Sequence, residues 1–402
     1  MKKKNKVLIL VENLSVPFDR RVWLEARAFK EKGFGVSVIC PRFKAERAFE
    51  ILEGVNIYRY SAPLSTRGLL SYIMEFSYCF IMTFLLSMRA LLTHGFDYVH
   101  ACNPPDTFFI IGMFYRVFGK RFVFDQHDLC PEVYLAKYGE HKKDFFYTAL
   151  LLLEYLTYKT AYRVIVTNKS YEAIAISRGR LDPGKVFVVR TGPDLNRLRQ
   201  AVSVPELKAG KRFLVSYLGV MALQDGVDYF IRAIDIIVNK HKRSDILFSL
   251  IGSGDTIEDL KKMKDDLGLG RSVVFTDRVS DDKLVNYLSG SDVCIAPDPK
   301  NALNDKSTMN KILEYMAMAK PIVSFDLKEA RYSAGDAALY AEPNNVQDFA
   351  DKILELLADP EKRRIMGGIG YERLKGELSW EYNKKRLIDV YTVKECHTFN
   401  VR

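Results

Sequence analysis

The sequence predicts an α/β fold built from two Rossmann-like domains, each containing a doubly wound parallel sheet. Short apolar runs rich in Val and Ile alternate with helical stretches along the 402 residues. These runs lack polar alternation, which is typical of strands that are buried on both faces of a parallel sheet. The alternation runs through the first half of the chain and restarts in the second, which indicates two doubly wound domains.

Six strands are predicted in the first half and five in the second. In chain order they are KVLILVE, GVSVICP, GVNIYRY, DYVHA, RFVFDQ and RVIVT, then FLVSYLG, DILFSLIGSG, SVVFTD, DVCIAP and PIVSFD. The break falls near 190–197, so we predict one domain over 1–192 and a second over 193–379. An amphipathic helix is predicted to begin near residue 380, and the segment 380–402 is predicted to pack back on the first domain.

Composition excludes disorder and gives no sign of a disulfide framework. Hydrophobic residues make up 48% of the chain, enough to fill two cores. The five-residue apolar run VLILV near the start is too short for the core of a signal peptide and is interpreted as a first strand. The cysteines form no CxxC pair and no metal-ligand cluster, so we expect buried thiols in a reducing compartment. They are Cys40, Cys79, Cys102, Cys130, Cys294 and Cys396.

The net charge of +10 belongs entirely to the first half. Residues 1–192 carry 28 Lys and Arg against 18 Asp and Glu, whereas residues 193–402 carry 32 of each. A basic face on one domain indicates an anionic partner such as membrane lipid or a phosphorylated acceptor. A solvated surface that maintains solubility is an equally good interpretation.

Residues 69–94 form the most apolar long segment. Glu75 and Arg89 leave only 13 uncharged residues between them, whereas a bilayer span needs about 20. A core helix and a membrane-surface helix fit equally well. A second apolar helix at 144–162 poses the same choice, and there the core helix is favoured.

Polar residues follow the fifth predicted strand, in the stretch DQHDLCPE. Open α/β sheets bind ligands beyond the carboxyl ends of their strands, and His127 and Asp128 lie at such an end. His127 can donate a hydrogen bond to a sugar hydroxyl or a phosphate oxygen. A histidine that caps a turn is the alternative.

The stretch NDKSTMNKILEYMAMA is the richest in the second half. Ser307 and Thr308 are predicted N-caps of the helix that follows, whose free N–H groups and dipole favour a diphosphate. Lys306 and Lys311 would add positive charge there. Glu314, two helical turns in, could accept hydrogen bonds from both ribose hydroxyls of a nucleotide.

Two glycine-containing turns follow strands of the second half. Gly219 and Gly226 permit tight backbone geometry in YLGVMALQDGVD. The GSG at 252–254 resembles a phosphate turn but lacks a complete fingerprint, so a plain strand-to-helix turn is favoured.

Together these segments resemble the GT-B glycosyltransferases of family 4, the retaining enzymes that build bacterial capsule, exopolysaccharide and O-antigen chains. The resemblance runs through VPFDRRVWLEARAFKEKGFGVSVICP, HACNPPD, DQHDLCPE, VVRTGPD, SYLGVMALQDGVDYFIRA, LIGSGD, FTDRVSDDKLVNYLSGSDVCIAP and STMNKILEYMAMAKPIV. It implies two domains facing across a cleft, with the acceptor in the first and the nucleotide-sugar donor in the second.

The resemblance also implies roles for individual residues. Glu314 would hold the donor ribose, His127 the transferred sugar, and Arg278 with Val279 the base. The diphosphate would lie against the backbone of Ser307, Thr308, Met309 and Asn310, with Gly219 beside it. Such enzymes stabilise the leaving group with side chains and helix termini, so the resemblance implies metal-independent transfer without a cofactor.

The sequence departs from the family pattern at three positions. Lys306 stands eight residues before the ribose-binding glutamate, where the family usually has a second glutamate. Val220 and Asp225 replace an Arg and a Lys that commonly clamp the diphosphate. We hypothesise that Lys306, Lys311 and Arg190 supply that charge, with Lys306 acting beside His127 in catalysis.

The loop ENLSVPFDRR follows the first strand, where the family recognises its acceptor. Asp19, Arg20 and Arg21 could contact an acceptor hydroxyl or a lipid-linked pyrophosphate there. A solvated helix start is an equally good interpretation.

The resemblance therefore implies a retaining glycosyltransferase of the hexosyl or N-acetylhexosaminyl type that acts in surface polysaccharide biosynthesis. Its expected partners are a nucleotide sugar, UDP-linked, a glycan or polyprenyl-diphosphate-linked acceptor, and an anionic membrane surface, but not nucleic acid. Its expected location is the cytoplasm, peripherally on the inner face of the cell membrane. A GT-B nucleotide-sugar epimerase and a catalytically inactive GT-B partner subunit are the alternatives. Release of free sugar without an acceptor would favour the epimerase, and absence of nucleotide binding the inactive subunit.

Overall fold

The chain forms two compact α/β units, each built around a sheet with mainly parallel strands. The computed structural model describes residues 5–43, 45–62, 69–195, 197–201 and 204–393, without the side chains of 69–73. The first unit contains the chain up to Tyr134, Lys142–Arg190 and the chain from Asn383 onward. The second contains Leu135–His141 and Thr191–Tyr382. The predicted fold class is confirmed.

The first unit contains an eight-stranded sheet in the order β3-β4-β2-β1-β5-β6-β7-β8. Every neighbouring pair is parallel except β3 with β4. The strand order reverses between β1 and β5, which is where a doubly wound sheet leaves a crevice. The strands are β1 Lys6–Leu10, β2 Gly35–Arg42, β3 Phe49–Leu52, β4 Val55–Ser61, β5 Tyr98–Cys102, β6 Arg121–Gln126, β7 Arg163–Val166 and β8 Val186–Val188.

The second unit contains a six-stranded parallel sheet in the order β11-β10-β9-β12-β13-β14. This order equals the 3-2-1-4-5-6 arrangement of a dinucleotide-binding fold, with its reversal between β9 and β12. The strands are β9 Phe213–Leu218, β10 Ile246–Ile251, β11 Val273–Phe275, β12 Val293–Ala296, β13 Ile322–Phe325 and β14 Ala338–Ala341.

Helices connect the strands and cover the two sheets. They are α1 Arg20–Glu31, α2 Leu69–Thr93, α3 Phe109–Arg116, α4 Cys130–Tyr138, α5 Phe145–Thr160, α6 Lys169–Gly179, α7 Val227–Asp235, α8 Ile257–Asp266, α9 Asp281–Gly290, α10 Asn310–Ala317, α11 Lys328–Ala334, α12 Val346–Ala358, α13 Pro360–Lys375 and α14 Trp380–Thr392. The helix predicted from residue 380 is confirmed as α14, and residues 394–402 lie outside the described part.

Helix α2 buries its small side chains and exposes its large apolar ones. The buried side chains are Cys79, Thr83, Ser87 and Ala90, and the exposed ones include Met74, Ile81, Leu85, Met88 and Leu92. Within the described residues, the 20-residue stretch Met74–Thr93 is long and apolar enough to cross a membrane, and 22% of its most apolar window is buried. A core helix is therefore the wrong interpretation of α2.

Helix α5 is only partly a core helix. It buries Glu154, Thr157 and Tyr158, but Phe145 and Leu152 are 79% and 55% exposed. The prediction of a core helix at 144–162 therefore holds only in part. Apolar side chains occur all around the helix, whereas only one side of it packs against the first unit.

The described cysteines are free thiols, as predicted. Cys40, Cys79, Cys102 and Cys294 are buried, whereas Cys130 is only half-buried. Cys396 lies outside the described residues.

Candidate functional site

Loops that follow β9, β10 and β12 pack backbone against backbone at the reversal of the second sheet. A Cβ at Gly252, whose φ is +136°, would lie 1.9 Å from the carbonyl oxygen of Gly219. A Cβ at Gly226, whose φ is +64°, would lie 2.3 Å from the carbonyl oxygen of Pro297. Glycine is required at both positions, because any side chain would collide with backbone. The loops at the carboxyl ends of these strands are therefore closely packed, at the position where open sheets bind ligands.

Helix α10 begins at this edge, but not with the predicted caps. Its N-cap is Met309, which makes no side-chain capping bond. Ser307 precedes the cap and donates its hydroxyl to a backbone carbonyl of the preceding turn at 2.9 Å. The prediction that Ser307 and Thr308 cap the helix is therefore wrong, because a 3₁₀ turn ends immediately before them. Glu314 consequently lies about one turn into α10 rather than two.

The side chain of Tyr315 fixes α10 to the reversal of strand order. Its hydroxyl donates to the carbonyl of Ile295 on β12 at 2.9 Å and accepts from the N–H of Leu218 on β9 at 2.8 Å. The start of α10 is thus anchored between the two strands where the sheet reverses.

Lys311 on α10 is held in a buried charge cluster, which we call the lysine cluster: Lys311, Asp298, Asp225 and Tyr217. The Nζ atom lies 2.6 Å from Asp298 Oδ1, 3.4 Å from Asp225 Oδ1 and 5.0 Å from the centroid of the Tyr217 ring. Burial alone would lower the pKa of Lys311, but Asp298, with Tyr217 and Asp225, raises it above its usual value. Two carboxylates thus neutralise the ammonium that was predicted to supply charge to a diphosphate.

The pKa of Asp225 is itself raised, first by burial and then by the charge of Asp298, although Lys311 opposes the shift. The raised pKa of Lys311 favours its charged ammonium, whereas the raised pKa of Asp225 favours a neutral carboxylic acid, so the two shifts disagree about an ion pair between them. The distances decide the question: Asp298, at 2.6 Å, is the main ion-pair partner of Lys311, and Asp225, at 3.4 Å, is the weaker one.

Glu314 forms an ion pair that the sequence did not predict. Its Oε1 accepts from Arg197 Nη2 at 2.8 Å, and Arg197 Nη1 donates to Asp281 Oδ1 at 2.7 Å. The side chains of Glu314 and Arg197 are 18% and 19% exposed. Glu314 is therefore partly accessible as a hydrogen-bond acceptor and is paired with a guanidinium.

The other predicted residues of the second unit lie at or near its surface. Arg278 is exposed, and Val279 packs against the edge of the core. Val220 is 59% exposed, and Lys306 is half-buried at the end of the 3₁₀ turn before α10. Their roles in holding the donor stay predictions.

In the first unit, His127 follows β6 and is held by a buried carboxylate. Its Nε2 lies 2.7 Å from Asp125 Oδ2 and 2.9 Å from Nε of Arg21. Its backbone N–H and that of Asp128 both donate to Asn103 Oδ1. The His127 side chain is 18% exposed. The predicted position at a strand end is confirmed.

Asp125 belongs to a buried cluster that also includes Arg21, Glu25, His100 and Cys102. Potential ligand atoms of four of these residues lie within 4.8 Å of one another, a spacing that could hold a metal ion: Glu25, His100, Cys102 and Asp125. The guanidinium of Arg21, however, already lies 2.7 Å from Asp125 and 3.2 Å from Glu25. Burial would lower the pKa of His100, but Asp125 and Glu25 raise it to about 9. Two cations therefore balance two carboxylates, which accounts for the cluster by ion pairing.

The predicted acceptor residues differ in exposure. Asp19 caps α1 by accepting from the N–H of Val22 at 3.1 Å, and Arg20 is exposed. Arg21 is buried against Asp125, as described above. Arg190, predicted to supply charge, is also buried, and its N–H donates to Asn383 at 2.8 Å. Their proposed contacts with ligands stay predictions.

Sequence reasoning missed several members of these clusters. Asp125 stands in the quoted motif DQHDLCPE, and Asp298 follows the predicted strand DVCIAP, so both had a positional signal. His100 begins the quoted motif HACNPPD and had the same kind of signal. Arg197 and Tyr391 had none, because their partners lie 117 and 291 positions away.

Family models match both parts of the chain. A model described as Glycosyltransferase Family 4 matches residues 19–197, and one described as Glycosyl transferases group 1 matches residues 212–359.

Curated relatives carry glycosyltransferase names. An uncharacterized glycosyltransferase of Methanocaldococcus jannaschii is 22% identical over 362 residues, 86% of each chain. The α-D-kanosaminyltransferase of Streptomyces kanamyceticus is 28% identical over 157 residues, 39% of each chain. An Escherichia coli protein named UDP-Gal:α-D-GlcNAc-diphosphoundecaprenol α-1,3-galactosyltransferase is 28% identical over 36% of this chain and 39% of its own length. The chain thus spans well under half of these last two relatives.

Solved structures share the fold. Sucrose-phosphate synthase from Thermosynechococcus elongatus superimposes with a TM-score of 0.76 at 17% identity, covering 96% of this chain and 98% of that one. Anabaena Alr3699/HepE in complex with UDP and glucose gives 0.75 at 15% identity, covering 97% and 100%. These likenesses show the fold alone, and that fold is GT-B.

Proposed function

The chain belongs to the group 1 and family 4 glycosyltransferases, and from this premise we propose that it transfers a sugar, with retention of configuration, from a UDP-linked donor. The acceptor is a lipid-linked or growing glycan of a surface polysaccharide. The transferase class rests on the family matches, whereas the donor, the acceptor and retention by same-face attack are the proposal.

The observation that carries the donor site is the position of α10 in the second unit. Tyr315 anchors this helix at the reversal of strand order, its first residue, Asn310, is exposed, and Glu314 lies one turn in. The free N–H groups and the dipole at its start favour the negative charge that develops on a departing nucleoside diphosphate. Glu314 accepts the ribose hydroxyls. The transfer uses these groups without a metal ion or cofactor.

The name of one relative supports UDP and a lipid-linked acceptor. The Escherichia coli relative is named for UDP-galactose and a diphosphoundecaprenol-linked sugar. A Corynebacterium glutamicum relative, 26% identical over 41% of this chain, is named for GDP-mannose. The identity of the nucleotide base is therefore tested in the same experiment as the donor site.

We expect Glu314→Ala to weaken UDP binding about tenfold to a hundredfold, because a charged acceptor of the ribose hydroxyls is lost. Isothermal titration calorimetry with UDP, GDP and ADP measures both the affinity and the choice of base.

The matched control is Glu258→Ala, which removes a carboxylate that is 81% exposed on α8 and should leave UDP affinity unchanged. Absence of nucleotide binding by the wild-type protein would reject the proposed donor site. Tighter binding of GDP than UDP would reject the UDP assignment alone.

The first unit presents a surface suited to an anionic membrane, formed by the outward sides of α2 and α3. The rings of Phe84 and Phe114 join the two helices at 5.0 Å. Large apolar side chains are exposed on both helices and directly after α3, including Leu92 on α2 and Val117 after α3, at 86% and 83%. A lipid-linked acceptor would be met at such a surface.

Two arginines give this surface its charge. Arg89 and Arg116 are exposed on α2 and α3, and neither side chain forms an ion pair with any residue in the described part of the chain. Glu75 is the one acidic residue in the two helices. Exposed apolar side chains with unneutralised arginines fit the interface of an anionic bilayer.

We expect the protein to float with vesicles that contain phosphatidylglycerol at low salt. Arg89→Gln with Arg116→Gln should weaken binding about thirtyfold, because the two arginines near an anionic surface together contribute about 2 kcal/mol. Leu85→Glu with Leu92→Glu should weaken it further by charging the apolar side.

Ile365→Glu, at a residue 48% exposed on α13 of the second unit, is the matched control and should float normally. Failure of the wild-type protein to float at low salt would exclude a membrane as the partner of this surface.

A further inference from the structure

A hydrogen-bonded series of side chains leads from the C-terminal helix to His127 inside the first unit. The hydroxyl of Tyr391 on α14 lies 2.5 Å from His100 Nδ1, and His100 Nε2 lies 3.3 Å from Asp125 Oδ2. Asp125 Oδ2 lies 2.7 Å from His127 Nε2. We call these four residues the relay. Tyr391, His100 and Asp125 are buried, and only His127 reaches the surface.

Stability alone does not require this arrangement. Each buried charge costs several kcal/mol of desolvation, and apolar residues of similar volume often replace buried ion pairs without loss. The relay and its two neighbours, Arg21 and Glu25, nevertheless place four charged groups in the interior. The network opens to solvent at a strand end, the kind of position where open α/β sheets bind ligands.

Asp125 fixes which nitrogen of His127 carries the proton. Nε2 lies within hydrogen-bonding distance of both Asp125 and Nε of Arg21, but it cannot donate to one and accept from the other. Two lone pairs facing each other at 2.7 Å would repel, so Nε2–H donates to Asp125. Arg21 retains its own contacts with Asp125 at 2.7 and 3.2 Å. Nδ1 of His127, which has no partner among the residues described, then points its lone pair away from the cluster.

We propose that Tyr391 and His100 are positioning residues for His127, acting through Asp125 to keep Nδ1 as the acceptor for a hydroxyl of the transferred sugar. This inference rests on the proposed function, in which His127 contacts that sugar. The imidazolium of His100 donates Nδ1–H to Tyr391 and faces Asp125 and Glu25 with Nε2–H. Its charge, with that of Arg21, offsets both carboxylates.

Tyr391→Phe tests this with little change in shape, because the ring still packs edge-on against Phe29 at 4.8 Å and Tyr98 at 5.0 Å. Without the hydroxyl, Nδ1–H of His100 has lost its acceptor, and the ring is held less firmly against Asp125. Asp125 in turn holds the His127 ring less firmly. We expect kcat to fall about tenfold while KM changes less.

Tyr98→Phe is the matched control. Tyr98 is buried in the same aromatic group, but its hydroxyl donates to the backbone carbonyl of Tyr391 at 3.4 Å and not to His100. We expect this variant to keep the wild-type kcat and KM. Equal kcat for Tyr391→Phe and Tyr98→Phe, with only their melting temperatures lowered, would show a structural role and overturn the proposal.

NMR of protein labelled with ¹⁵N-histidine gives a readout that does not depend on sugar transfer. In the wild-type protein we expect the neutral ring of His127 to carry its proton on Nε2, and His100 to be protonated at both nitrogens near pH 7. His127 protonated at Nδ1, or His100 unaffected by Tyr391→Phe, would overturn the relay. The expected ring states support it even where no transfer is detected, so failure of the proposed function is seen separately.

Discussion

Lys311→Met should lower the free energy of unfolding of the second unit by about 3–5 kcal/mol, because it leaves the buried carboxylate of Asp298 without its cation. Asp298 is 2% exposed, so water cannot replace the ammonium 2.6 Å away, whereas Asp225, at 18%, keeps some contact with water. Methionine keeps the length and apolar stem of lysine, which confines the change to the charge. Equilibrium unfolding in urea measures the loss.

Lys320→Met is the matched control. Lys320 donates to the carbonyl oxygen of Ser289 at 2.6 Å, and burial lowers its pKa. Its loss removes one hydrogen bond, worth about 1 kcal/mol. Combining Lys311→Met with Asp298→Asn should restore part of the stability, since one unpaired charge disappears. A loss in Lys311→Met no larger than in Lys320→Met would show that the lysine cluster is not an ion pair.

The central strands of both sheets were predictable because they are continuous apolar runs buried on both faces. The strands that the sequence analysis missed lack that signal. Residues 49–52 form β3 with alternating exposure at the edge of the sheet, β8 has three residues, and β14 is the alanine-containing ALYA. Short strands and edge strands form mainly because they pair with a neighbouring strand, and the residues of the strand itself do not reveal that pairing.

The sequence predicted where the residues of the candidate site lie, but not which side chains they contact. Strand ends located His127 and Glu314, since parallel strands bring their carboxyl ends to one edge. The partners of Lys311 lie 86 and 13 positions away in sequence, and Tyr391 lies 291 positions from His100. These pairings depend on the order of strands and on where α14 packs. Lys311 was consequently interpreted as a free cation, whereas the fold neutralises it.

Raising the pH from about 6.5 to 9 should destabilise the first unit by about 3 kcal/mol through His100. Burial opposes the charge of His100, but Asp125 and Glu25 raise its pKa from 6.5 to about 9. A group whose folded pKa lies above its unfolded value stabilises the protein fully below the unfolded value. That stability is lost as the pH rises through the folded value. Urea unfolding followed across this range measures it.

The groups facing His100 determine how that result is interpreted. Arg21 and Glu25 face it from α1, Asp125 from β6 and Tyr391 from α14. The thiol of Cys102 lies beside them with its pKa raised by burial, so it stays neutral.

Glu12 titrates in an overlapping range, because burial raises its pKa to about 8 despite a bond from Cys79. Its titration therefore also lowers the free energy of unfolding as the pH rises, beginning near pH 4.5.

His100→Gln separates the contribution of His100 from that of Glu12: it should flatten the slope of stability against pH between pH 8 and 9 and leave the slope below pH 6. His241→Gln, at a histidine of the second unit, should change neither. An unchanged slope between pH 8 and 9 in His100→Gln would mean that His100 is neutral in the folded protein. Arg21 alone would then face the carboxylates of Asp125 and Glu25.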